Sequence, residues 1–297
     1  MKLVVTGASG LIGSALVREA EKNRIKVVKL VRRAPKEKNE SQWDPNKGII
    51  DLEVLENSTA IVHLAGAGVG DHRWTKKYKK EILNSRVNST ETLANAIVNL
   101  RTPPSVFVSG SAMGYYGDTG DVAVDENAGL GEGFLSDVVF NWEYAAQRVR
   151  SNNIRVVHPR TGLVMSKRGG LLKKVLPLFR FGLGGKLGNG KQWWSWITLH
   201  DQIKAICFLL ENQIEGPVNL TSPNPATNQE FTSALARAMR RPALFPVPGF
   251  ALKLVLGGFS TEILGSKKVI PQKLMDSGFQ FDFPHLAPAL AELIDQQ

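Results

Sequence analysis

The chain has 297 residues, 43% of them hydrophobic and 22% charged, and its 37 basic residues outnumber 27 acidic ones for a formal net charge of +10. That length houses a sizeable core in one large or two unequal domains, whereas no apolar run reaches a membrane span and a lone cysteine, Cys207, excludes an internal disulfide or a cysteine metal cluster. A basic balance attracts anions of every kind, nucleotides included, so charge alone does not make a nucleic-acid binder.

Lys2-Leu-Val-Val-Thr6 reads as a buried strand that runs into Gly7-Ala-Ser-Gly10-Leu-Ile-Gly13 and then a helix over 11–23. Gly7 permits a sharp turn off the strand, Gly10 a close approach to a pyrophosphate, and Gly13 tight packing of helix on strand. The helix N-terminus offers its free N–H groups to the phosphates. Residues 26–31 form the second predicted strand and end at Arg32-Arg33. An Asp or Glu there would accept from the ribose 2′-hydroxyl of NAD. An arginine pair suits a 2′-phosphate instead, which favours NADP, although Lys36 and Lys38 also allow a solvated basic loop.

The third strand, 60–64, holds His63 as a buried, hydrogen-bonded imidazole. Arg73 and Lys76, Lys77, Lys79 and Lys80 open a helix over 76–99 whose apolar residues recur at helical spacing. Those lysines read as a solvated face, because no zinc spacing, arginine-rich tail or RNA-binding aromatic motif accompanies them, and nucleic acid is not expected as a partner. A strand at 105–109, a loop at 110–134 with Tyr115-Tyr116, a helix at 137–151 and a strand at 154–158 follow. This alternation predicts a parallel, doubly wound sheet with its ligand at the carboxyl ends of the strands, lined by loops 7–13, 65–73, 110–134 and 160–170.

Beyond residue 160 the pattern loosens into a glycine-punctuated segment ending in Trp193-Trp-Ser-Trp196, where three indoles can wall a substrate cleft or form a core between lobes. Asp201 opens an apolar helix and reads as a capping carboxylate. Helical runs at 228–240, 249–256 and 286–295 complete a smaller lobe. The scattered loop carboxylates have no metal-ligand spacing, so no metal is expected.

The segments Gly7 to Gly13, Ile61-Val-His-Leu-Ala-Gly66 and Val108-Ser-Gly-Ser-Ala112 with Tyr115-Tyr116-Gly117 resemble the extended short-chain dehydrogenase/reductase superfamily. Ser85-Arg86, Trp193 to Ile197 and a tail running from Arg241-Pro through Val269 to Phe281 narrow the resemblance. They match its atypical epimerase-family branch, the SDR39U-type group, whose C-terminal segment has no known function. The resemblance implies a Rossmann domain that binds NADP. Gly7, Ser9, Gly10, Leu11, Ile12 and Gly13 would meet the phosphates, Arg32 with Arg33 the 2′-phosphate, and Leu64, Ala65 and Gly66 the adenosine side. Ser109, Ser111 and the segment Arg160-Thr161-Gly-Leu-Val164 would lie near the nicotinamide.

The catalytic pattern departs from the superfamily. Alignment on Trp142-Glu143 puts Leu135 where the general-acid tyrosine stands and Val139 where its lysine partner stands, and Arg86 replaces an asparagine. Ser111 alone survives, so either Tyr115 or Tyr116 serves as a substitute proton donor with Arg86 or Lys167 supplying positive charge, or the reaction needs no strong acid or base from the protein and both tyrosines simply pack the loop.

The sequence therefore predicts an α/β protein with a Rossmann-type doubly wound parallel sheet and a smaller C-terminal substrate lobe. Residues 1–160 would be the NADP-binding core and 161–297 mainly the lobe, with some elements returning to the sheet. The expected function is an NADP-dependent oxidoreductase or epimerase step on a small molecule, in the cytoplasm and without a membrane partner, with Ser111 and Tyr115 or Tyr116 catalytic and Trp193, Trp194 and Trp196 on the substrate. The rival is a non-catalytic NADP(H)-binding redox sensor or scaffold. The oligomeric state, monomer or homodimer, stays open.

Overall fold

The structure is a computed structural model that describes residues 1–152 and 154–295. Residues 296 and 297, the end of the expected second lobe, lie outside the described residues.

Strands Gly216–Leu220, Arg155–Thr161, Val106–Ser109, Ala60–His63, Lys2–Thr6, Lys26–Val31 and Glu40–Gln42 lie side by side in that order, each parallel to its neighbours. The chain starts in the fifth of these positions, moves outward through Lys26–Val31 to Glu40–Gln42, then crosses back to Ala60–His63. The reversal lies between Lys2–Thr6 and Ala60–His63, the crevice where open α/β sheets take ligands.

Successive side chains of a strand face opposite ways, and both faces are covered. Leu3 and Val5 pack with Leu16 and Ala20 of helix Leu11–Lys22 and with Ile203 and Ile206 of helix Leu199–Glu211. Val4, Ile61 and Phe107 face the other way, onto Leu93 and Ile97 of helix Lys76–Ile97. Thr75 caps that helix by accepting from the Tyr78 N–H at 3.1 Å.

Helix Phe134–Ala145 starts earlier than its hydrophobic spacing predicts and gives way to a 3₁₀ segment, Gln147–Asn152. The strand expected to stop at 158 continues to Thr161, through Pro159. Proline is tolerated because the neighbouring strand is interrupted beside it: Val108 pairs Val157, and pairing resumes only at Ser111 with Arg160.

A third apolar cluster lies outside the sheet. It joins helix Gly170–Arg180, helix Asn228–Met239 and helix Leu286–Asp295 through Leu172, Phe179, Phe231, Leu235 and Leu290. The tail then reaches back, pairing Lys268–Val269 with Ala123–Val124. Among the described residues no helix is long and apolar enough to cross a membrane.

Candidate functional site

The loops at the carboxyl ends of the strands converge. Gly7 has φ +68°, and a Cβ there would stand 2.6 Å from the Leu64 carbonyl oxygen. A Cβ on Gly13 would meet the Gly7 carbonyl at 2.2 Å, so helix and turn touch backbone to backbone. Gly10 caps helix Leu11–Lys22 without a side-chain hydrogen bond and the first turn holds no acid. The leading N–H groups of that helix therefore face outward, the arrangement that receives a phosphate. Thr6 steadies the adjacent loop, its hydroxyl accepting from the Leu64 and Ala65 N–H groups at 3.1 and 3.3 Å.

The two arginines after the second strand separate. Arg33 forms a two-pronged pair with Glu40 at 2.8 and 2.7 Å and pulls that carboxyl down to about 2. The expectation that Arg33 shares a 2′-phosphate is thus corrected, because its fork is occupied. Arg32 is exposed and has no ion-pair or hydrogen-bond partner among the described residues.

Arg86 is likewise engaged. Its Nη1 donates to the Ala67 and Ile82 carbonyls at 2.9 and 3.0 Å, and its guanidinium lies 5.0 Å over the Trp142 ring. Burial lowers its pKa to about 10. It shapes the loop at Gly66, where a Cβ would touch it at 3.2 Å, and its Nη1 is taken up by backbone carbonyls. His63 is fully enclosed between the Thr6 hydroxyl at 2.6 Å and the Ser89 hydroxyl at 3.0 Å.

A buried polar chain occupies the ground under the expected catalytic residues. Ser111 donates to Glu143 Oε1 at 2.6 Å, and Arg160 holds the same carboxylate with Nε at 2.8 Å and Nη2 at 2.9 Å. Arg160 also donates to the Tyr116 hydroxyl at 3.0 Å, and that hydroxyl donates to Asn219 Oδ1 at 2.7 Å. Burial pushes Glu143 up, but the hydrogen bonds and charge of Arg160 outweigh it and hold the carboxyl below its usual range. Burial likewise pushes the Tyr116 phenol up to about 12.

Three expectations change here. Ser111 gives its one proton to Glu143 and cannot at the same time polarise a carbonyl. Tyr116 is 4% exposed and doubly bonded, so it is not a free proton donor. Arg160 is a buried counterion rather than a cofactor contact through its side chain. Tyr115, half-buried with its ring 3.4 Å from the Arg160 guanidinium, keeps its hydroxyl outside this chain.

Leu135 and Val139, at the positions expected for the tyrosine and the lysine, pack beside Gly114. A Cβ on Gly114 would stand 3.1 Å from Leu135 Cβ and 3.7 Å from Val139 Cγ2. Ser109 ends its strand fully buried with its hydroxyl unpartnered, as is the Trp142 indole N–H. Thr161 accepts from the Gln202 amide at 3.2 Å, and Val164 pairs with Ile197 in a short parallel bridge. Leu11 packs against Gly169, so the glycine loop meets the start of helix Gly170–Arg180.

The tryptophans also divide. Trp196 is 1% exposed and donates to the Asn224 carbonyl at 2.9 Å, which makes it core and corrects its assignment to the substrate wall. Trp193 and Trp194 line a small cleft of about 40 Å³ with Met113, Leu163, Leu171 and Ile263. Its charged members, Glu262 and Lys267, pair with each other at 3.0 Å.

Sequence reasoning missed Asn219 and Glu126, whose carboxylate accepts from the Asn219 N–H at 2.8 Å. A polar residue inside Val218-Asn-Leu220 was the available signal. The residues His200, Asp201 and Asp282 stand close enough to suggest a cation site, but Asp201 accepts from the Asp282 and Phe283 N–H groups at 3.0 Å each, and Lys204 and His200 hold Asp282.

Residues 3–221 match the family described as the NAD dependent epimerase/dehydratase family, and residues 247–293 match a domain of unknown function, DUF1731. Among curated proteins the chain is 39% identical over 291 residues to an epimerase family protein of Mycobacterium leprae, covering 97% of this chain and 94% of that one. It is 37% identical over 297 residues to one of Staphylococcus aureus, covering 99% of each. The human epimerase family protein SDR39U1 (isoform 2), solved with NADPH, matches over the full length of both chains with a TM-score of 0.92 at 32% identity. A nucleoside-diphosphate sugar epimerase from Corynebacterium glutamicum matches with a TM-score of 0.82 at 30% identity, over 99% of this chain and 58% of its own.

Proposed function

The chain belongs to the NAD dependent epimerase/dehydratase family, and on that premise we propose that it is an NADP(H)-dependent oxidoreductase that works on a small molecule without a Tyr-x-x-x-Lys pair. The observation that carries this reading is the cradle at the first turn: an uncapped, acid-free helix start packed on Gly7 and Gly13, with an unpartnered Arg32 at the next strand end. That donor set fits a dinucleotide with a 2′-phosphate. Its likeness to a human relative solved with NADPH supports the choice of NADP over NAD.

Gly7, Ser9, Gly10, Leu11, Ile12 and Gly13 would hold the pyrophosphate and Arg32 the 2′-phosphate, with Ser109 offering its buried hydroxyl at the strand end. When bound, the nicotinamide supplies or takes up hydride at its C4. Tyr115 carries the hydroxyl left free to hold or move a proton at the substrate oxygen, and the Arg160 guanidinium stacked on its ring fixes where that ring lies. Glu143 and Arg160 position Ser111 and Tyr116 rather than react.

The cleft at Trp193 and Trp194 favours an uncharged, largely apolar carbonyl or hydroxyl compound. A sugar diphosphate needs cations and donors, and the cleft's one ammonium group is already neutralised by Glu262. A second reading, a non-catalytic sensor of NADP(H), draws on the locked protons of Ser111 and Tyr116.

Fluorescence titration with NADPH and NADH, followed by a panel of apolar carbonyls and nucleotide sugars, tests both. We expect tighter binding of NADPH, and Arg32→Asp should weaken NADPH by roughly 10- to 100-fold while sparing NADH. Equal loss of both cofactors would remove the 2′-phosphate assignment. Oxidation of NADPH by an apolar carbonyl supports the enzyme, and tight binding without turnover across the panel supports the sensor.

A further inference from the structure

Two segments, 167–191 and 231–261, carry eleven of the 37 Lys and Arg residues and no Asp or Glu. The remaining 26 basic residues meet 27 acidic ones, so these two segments account for the whole net charge of the chain. They also lie together. Leu183 bridges Ala243 and Leu187 bridges Val247, while the Val247 N–H donates to the Lys186 carbonyl at 2.8 Å.

The same segments expose apolar side chains that a water-facing surface would avoid. Phe181, Leu244, Phe245, Phe250, Leu254 and Val255 are between 56% and 81% exposed. Helix Gly249–Leu256 is apolar almost throughout, yet buries only Leu252. Isolated exposed hydrophobics need no explanation, but six on two adjoining segments mark a contact surface.

We propose that this face rests on an anionic phospholipid surface, with the six apolar side chains entering the headgroup region and the flanking Lys and Arg meeting lipid phosphates. Lying on a bilayer needs no spanning helix; it needs exposed apolar tips ringed by cations. Arg180, Arg240, Arg241 and Lys253 supply that ring, all exposed and, among the described residues, without a salt bridge. A second copy of the chain fits worse, since two faces of the same strong charge repel. Side chains this exposed protrude rather than line a groove, which suits a deformable lipid layer better than a rigid protein partner. The proposal is independent of the redox reading.

Sedimentation of the full chain with vesicles tests it. The protein should pellet with phosphatidylcholine vesicles containing phosphatidylglycerol and stay free of pure phosphatidylcholine, and high salt should weaken the binding. Phe250→Ser with Leu254→Ser should lower partitioning roughly tenfold or more. Arg240→Glu with Arg241→Glu should lower it as well. All four side chains are exposed, so unchanged melting temperatures and unchanged NADPH binding would show that the variants fold. Three results would overturn the proposal. The first is no pelleting with either vesicle. The second is equal pelleting of wild type and the Phe250/Leu254 variant, which means adhesion by charge alone. The third is a dimer in analytical ultracentrifugation that the Phe250/Leu254 variant abolishes, which assigns the face to self-association.

Discussion

Glu143 is the residue on which the buried polar chain depends, because one carboxylate satisfies both the Ser111 hydroxyl and the Arg160 fork. Glu143→Ala leaves Arg160 buried without a counterion and should cost about 3–5 kcal/mol in urea unfolding. Ser111→Ala removes a single hydrogen bond and should cost only about 1 kcal/mol. His63 offers a second check. Burial first, and then the nearby positive charge of Arg86, lower its pKa from 6.5 to about 3. The unfolded chain therefore takes up a proton that the folded one refuses, so stability falls as pH drops below 6.5, by about 1.4 kcal/mol per unit, until the folded value is reached. Denaturant melts at pH 7.5 and 5.5 should show that loss, and His63→Gln should flatten it. At this scale the sequence separated some roles and not others. His63 inside an apolar strand could be read as buried. Nothing in the adjacent letters Tyr115-Tyr116 says which hydroxyl is locked, since the decision belongs to Asn219 and Arg160, 103 and 44 residues away.

At the scale of elements, the glycine turn is the most constrained unit. Gly13→Ala places a methyl 2.2 Å from the Gly7 carbonyl oxygen, so the helix must lift from the turn. We expect a loss of about 1–3 kcal/mol of stability together with NADPH binding, measured by melting and by fluorescence titration. This element was legible because its spacing, strand before and helix after, follows from local backbone needs. Strand Gly216–Leu220 was not legible, since its Gly and Pro read as a turn. An edge position accommodates that proline, and only the pairing of Val218 with Pro159 shows that the segment is a strand. Asp201 shows the same limit. It stands in the first turn of its helix as expected, but Thr198 is the cap, accepting from the Asp201 N–H at 3.0 Å, and the Asp201 carboxylate reaches the tail instead.

Across the whole molecule, that reach of Asp201 fastens the last segment of the chain to the body. Asp201→Ala should cost about 1–3 kcal/mol and raise hydrogen exchange at Asp282 and Phe283, with protection in the central sheet unchanged until global unfolding. Uniform loss of protection would mean that the tail is no separate fastening. The doubly wound sheet and the family followed from the sequence alone, because strand alternation, the glycine spacing and the tail motifs are local patterns that survive without knowledge of contacts. What only the tertiary structure decided is which polar groups are already satisfied. Glu40 takes Arg33, Glu143 takes Ser111 and Arg160, and Asn219 takes Tyr116, while Arg32 and the Tyr115 hydroxyl stay outside these pairings. A charge or hydroxyl is available for chemistry only when no folded neighbour has claimed it, and those neighbours are brought together by the packing of distant segments.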